Sequence, residues 1–154
     1  VFWALTDLGT QERLLMGREA MDRYVFKPLK RMADVVHREG VKLMFHSCGA
    51  VREVIPDLIA SGVDVLNPLQ PAAKGMEPAG LKKDFGKDIA FHGGIDIQYL
   101  LPRKSPEEVA SEAHRVARIL CEQGGYVLSP SHNIQLDTPT ENIRAMYRTE
   151  ARKL

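Results

Sequence analysis

VKLMFHSCGAVREVIPDLIASGVDVLN, residues 41–67, is the stretch on which the fold turns. It opens on VKLMF, 41–45, an apolar run too short for a helix, with Gly40 before it and the polar HSCG after it. Such a run reads as a strand buried on both faces. Val51, Val54, Ile55, Leu58 and Ile59 then recur at helical spacing, and Gly62 stands where a helix-terminating glycine belongs. VDVLN, 63–67, returns to a short apolar run. Two strands joined through a helix run parallel, with a right-handed crossover.

The same alternation extends in both directions. Upstream, LLMGREAMDRYVFKPLKRMADVVHREG carries Met21, Val25, Leu29, Met32 and Val36 three or four residues apart and ends on Gly40, which predicts a helix bent at Pro28. VFWALTD before it reads as a strand already under way, as expected of a piece of a longer protein. Downstream, EPAGLKKDFG predicts a short helix, and DIAF, 88–91, a strand leading into HGGID. SPEEVASEAHRVARILCEQGG has Ser105 as N-cap, Pro106 at the first helical position and Glu108 closing a capping box, with Val109, Ala113, Val116, Ala117 and Leu120 as its apolar stripe. YVLS, 126–129, is the last strand, and TPTENIRAMYR repeats the capping pattern with Thr138, Pro139 and Glu141.

Five strands alternating with five helices predict an α/β fold with a parallel sheet, whose strand-to-helix loops share one face. Asp7, His46, Cys48, Asn67, Gln70, His92, Asp96, His132 and Asn133 all fall at strand C-terminal ends or just beyond them, where parallel folds build their sites. HGGID lacks dinucleotide-binding spacing, which favours a barrel over a nucleotide-binding sheet. A complete eight-stranded barrel takes about 250 residues. Residues 1–154 are therefore expected to form one unit, the C-terminal half to two-thirds of a (β/α)8 TIM barrel. Its open edges leave room for a second copy, so a homo-oligomer is among the expectations.

Composition removes several classes of function. Lysine and arginine (21) are interspersed with aspartate and glutamate (20), for a net charge of +1, so no basic block marks a nucleic-acid partner or a membrane surface. No apolar run approaches the roughly 18 residues of a spanning helix, and the opening lacks a basic-then-apolar signal pattern; the expected location is the cytoplasm. Two cysteines are too few for a disulfide framework, and Cys121, near a helix end, reads as packing.

His46 and Cys48 are offered by a single turn, and imidazole nitrogen and thiolate are both good zinc ligands. A catalytic zinc takes three protein ligands and keeps one position open; His132, after the last strand, is the expected third. On these residues alone another reading stays open, in which His46 bonds a loop carbonyl and Cys48 packs as a small apolar group. Asp7 in TDLGT and His92 before Gly93 are the candidate catalytic groups, against readings as a turn former and a loop-holding residue. Asn67, Gln70 and Asp96 are the candidate substrate-binding residues. His37 and His114 lie within helical patterns and read as exposed or capping.

HSCGAVREVIPDLIASGVDVLNPLQ, with TDLGTQERLLM before it and GGYVLSPSHNIQLDTPTENI at the end, resembles the uroporphyrinogen decarboxylase superfamily over nearly the whole chain. Within it the chain looks more like the cobalamin-linked methyltransferase branch. That branch binds zinc through an H-x-C turn and a later cysteine, and uses the metal to activate a thiol for methyl transfer to or from a corrinoid. The resemblance implies His46 and Cys48 as turn ligands, and His132 where the thiol-activating relatives carry cysteine. It implies Asp7 as a site residue through the D-x-G of TDLG. It also implies a corrinoid on a partner protein and a small methylated substrate, which the single thiolate shifts toward an oxygen ether, with Asp7 and Gln70 lining its pocket. The alternatives are decarboxylation of uroporphyrinogen or a related acid, and a non-catalytic binding domain or remnant.

Overall fold

The computed structural model describes residues 1–148, so residues 149–154 of the expected unit lie outside the described residues. Strands β1 (Phe2–Leu5), β2 (Leu43–His46), β3 (Val65–Leu69), β4 (Ala90–Ile95) and β5 (Tyr126–Pro130) form one sheet in sequential order, and every pairing is parallel. The connections carry helices α1 (Arg18–Met21), α2 (Lys27–Arg38), α3 (Ile55–Ala60), α4 (Pro78–Phe85), α5 (Leu100–Arg103) and α6 (Pro106–Leu120), with α7 (Thr140–Tyr147) after β5. No helix among the described residues is long and apolar enough to cross a membrane.

One face of the sheet is the core. Leu43, Phe45, Leu66 and Phe91 are at most 2% exposed. They share that core with Leu29, Ala33 and Val36 of α2, Ile55 and Leu58 of α3, Leu81 of α4 and the predicted stripe of α6. Burying each large side chain stabilises the fold by about 1.5–3 kcal/mol. The opposite face differs from the expectation that VKLMF is buried on both sides, because Met44 and His46 are only half-buried. Five strands leave no opposing wall to pack against. The edge strands show the same thing, with Trp3 at 56%, Leu5 at 71% and Val127 at 50% exposed.

Three local readings need correction. β4 continues through His92, Gly93 and Gly94 instead of ending at Phe91, since both glycines, at positive φ, still pair with Leu128 and Ser129 of β5. The irregularity near Pro28 is a π-helical turn at Asp22–Phe26, before the proline and not at it. Pro28 has no N–H to return to the carbonyl four residues back, so the preceding turn widens. The Ser105 capping box forms, but Thr138 does not repeat it: Pro139 occupies the cap of α7, and the Thr138 hydroxyl is buried without a partner. One residue outside the cap, it cannot reach the N3 amide.

At the far end of the sheet, Asp64 clamps three elements. Its carboxylate accepts from Leu43 N–H (2.8 Å) and Lys42 Nζ (2.7 Å) and meets His37 Nε2 at 2.7 Å. Burial pushes this carboxyl up, but Lys42, the Leu43 amide and His37 together outweigh it and hold the group below its usual range. A depressed folded-state value adds stability above the unfolded value of about 3.9, and that stability is lost as pH falls through the folded value. Asp64→Asn is expected to cost about 1 kcal/mol at pH 7 in urea unfolding, a difference that closes in strong acid. Equal midpoints at pH 7 would remove Asp64 as a clamp.

Candidate metal centre

The loop after β1 and the turn after β2 are brought together by backbone contact. A Cβ on Gly9 would lie 2.9 Å from Ala50 N, and one on Gly49 would lie 2.5 Å from Gly9 and Thr10 backbone atoms. This is a physical reason for the glycine of TDLG. Hydrogen bonds lock the contact: Ala50 N–H donates to Thr10 O at 2.7 Å, and Leu8 N–H donates to Ser47 Oγ at 2.9 Å. Gln70 reaches across from the end of β3, its Oε1 accepting from Gly49 N–H at 2.9 Å.

This packing sets Asp7 against His46 and Cys48. Asp7 Oδ1 accepts from Cys48 N–H at 3.0 Å and lies 3.8 Å from His46 Nε2, while Cys48 Sγ is 3.6 Å from the same nitrogen. One donor atom from each residue falls within 4.8 Å of the other two. Oxygen, nitrogen and sulfur donors are the set zinc accepts, so the residues fit that ion. Burial, then the negative charge of Asp7, push the Cys48 thiol above its ordinary range. A bound cation would reverse that balance.

His132 does not join this group among the described residues. Its exposed ring reaches in from the loop after β5 and stands edge-on to His46, centroids 6.3 Å apart. It lines a cleft of about 420 Å³ on the inner face, with Trp3, His46, Asn67, His92 and Asn133. Asn67 joins two histidines in that wall, at 2.7 Å from His46 Nδ1 and 2.7 Å from His92 Nδ1. Burial lowers the His92 imidazole below its ordinary range, only partly offset by its own backbone, so it is neutral at pH 7.

Two expected substrate-binding residues stand elsewhere. Gln70 braces the HSCG turn. Asp96 accepts from the Gln98, Tyr99 and Leu100 amides, starting α5, and lines a separate cleft with Pro71 and Tyr99. Trp3, whose ring centroid is 6.0 Å from His46, was not anticipated. Its signal was the period of two along β1, which puts Trp3 and Leu5 on the same face, and Leu5 pairs with His46.

The chain is 30% identical over 132 residues to a uroporphyrinogen decarboxylase of Anaeromyxobacter sp. (strain Fw109-5), covering 85% of this chain and 36% of that protein. It is 24% identical over 134 residues to a methylated-thiol–coenzyme M methyltransferase of Methanosarcina mazei, covering 87% of this chain and 33% of that protein. It thus spans about a third of the length of these curated relatives. A solved structure of a methyltransferase from Methanosarcina mazei superposes with a TM-score of 0.72 at 20% identity, over 96% of this chain and 40% of the other, so the present sheet is part of a TIM barrel. The sequence model of uroporphyrinogen decarboxylase (URO-D) matches residues 5–152, and with nearly every residue covered the chain belongs to that family.

Proposed function

We propose that Asp7, His46 and Cys48 form a zinc site, and that the protein moves a methyl group between a small methylated substrate and a corrinoid carried by a separate protein. The observation that carries this reading is the donor set, one carboxylate, one imidazole and one thiol within 4.8 Å. When bound, zinc supplies a Lewis acid that polarises an oxygen or lowers the pKa of a ligated thiol. The chain's own residues do the rest. Cys48 would give up its proton on loading, its backbone N–H keeps Asp7 turned toward the cluster, and Gln70 holds the turn through Gly49. His132 and His92 stand in the cleft wall, where they would orient substrate. A single thiolate favours a substrate held through oxygen, so the methyl group would leave an oxygen for a reduced corrinoid whose cobalt supplies the electron pair of the new bond, while the oxygen would keep the pair of the broken bond and gain a proton.

The second reading, decarboxylation of uroporphyrinogen or a related acid, is favoured by the relative at 30% identity and by His132 in SPSHN on the cleft wall. The test is the full-length protein with a reduced, unmethylated corrinoid protein and a panel of O-methylated donors, beside uroporphyrinogen, each with and without a zinc chelator. Chelator-sensitive transfer is the expected result. Chelator-insensitive carbon dioxide release from the porphyrinogen would establish the second reading, and inactivity in both assays would leave a binding unit.

A further inference from the structure

Two histidines on the inner face of the sheet share one side-chain amide. Asn67 Oδ1 lies 2.7 Å from His46 Nδ1, and Asn67 Nδ2 lies 2.7 Å from His92 Nδ1. An amide oxygen only accepts and an amide nitrogen only donates. In this orientation His46 must carry its proton on Nδ1, and His92 must accept at Nδ1. His46 Nε2 is then a bare lone pair facing Cys48 Sγ at 3.6 Å and Asp7 Oδ1 at 3.8 Å.

That arrangement works against a local pull. The Asp7 carboxylate beside Nε2 favours a proton on that nitrogen, and a protonated nitrogen cannot ligate a metal. Something must hold the proton on the other side of the ring. Asn67 is only 7% exposed, so water competes poorly for its amide, whose oxygen faces His46 and whose nitrogen faces His92.

We propose that Asn67 and His92 act together as positioning residues that hold His46 in its Nδ1–H tautomer, so that Nε2 is ready for a metal ion before the ion arrives. The proposal rests on the zinc reading of the cluster for its purpose, but the tautomer is measurable without metal. Ligating histidines commonly donate their other N–H to a fixed acceptor, and losing that acceptor costs about 10–100-fold in metal affinity.

The experiment is nitrogen-15 NMR of the imidazoles in the metal-free full chain at about pH 8, paired with zinc affinity from chelator competition. Wild type is expected to show His46 protonated on Nδ1. Asn67→Asp keeps the acceptor, so the tautomer should persist and affinity should stay within about threefold or tighten. Asn67→Leu removes it, so the Nε2–H form should appear and zinc affinity fall about 10–100-fold. His92→Phe leaves the Asn67 amide without its second partner and should also mix the tautomers, which keeps the test available if Asn67→Leu fails to fold. A wild-type His46 protonated on Nε2, or an unchanged tautomer in the leucine or phenylalanine variant, overturns the proposal. A wild type with the Nδ1–H tautomer and no zinc affinity supports the relay and rejects the zinc site.

Discussion

Replacing Cys48 with alanine is expected to weaken zinc binding by about a thousandfold or more, because it removes the only sulfur of the cluster and leaves two donors. Competition against a chromogenic chelator reads this directly. Cys121→Ala is the control: that residue caps the end of α6, away from the cluster, and its loss should leave affinity unchanged. The pH dependence sharpens the test. Since burial and Asp7 hold the Cys48 thiol protonated in the neutral range, loading must release a proton. Wild-type affinity should therefore rise by up to about tenfold per pH unit until the thiol's own value is reached. The alanine variant should lose that slope. Equal affinities, or equal slopes, in wild type and Cys48→Ala would sink the zinc reading.

Gly49→Ala is the second large effect, and it acts on fold and site together. At φ +87 an L side chain is strained, and the added Cβ would meet the Gly9 carbonyl and Thr10 O at 2.5 Å. Backbone on both sides of the contact leaves nothing flexible to yield, so the expected cost is about 3–5 kcal/mol in denaturant unfolding. The loop carrying Asp7 and the turn carrying Cys48 should part, and zinc affinity should fall even in molecules that remain folded. Gly17→Ala, with nothing within 4 Å of the added atom, should cost no more than about 1 kcal/mol. If Gly49→Ala matched Gly17→Ala in stability, the close approach would not be what holds the two loops together.

Sequence alone determined the alternation of strands and helices and the parallel sheet, because both rest on local spacing, and the partial barrel, because five such units fall short of a closed barrel's eight. Apolar residues three or four apart on one helix, or five in a row bounded by glycine and polar residues, state the element type without knowledge of the rest of the chain, although the VKLMF run did not foretell that one of its faces would be half-open. His46 and Cys48 were legible as a pair for the same reason, since one turn carries both. The neighbours of that pair were not legible. His132 was expected to complete the donor set; its ring stands beside His46, but the donor within reach of both His46 and Cys48 is Asp7, because two glycines in different loops let the backbones touch. Asn67 and Gln70 read as polar residues free to meet a substrate. Register instead sets Asn67 between two histidines and Gln70 under the HSCG turn. Asp96 was drawn off by three amides in its own loop. Local pattern records which face a residue needs, whereas the partner a polar group finds is chosen by distances of a few ångströms between segments far apart in the chain, and only the folded backbone sets those.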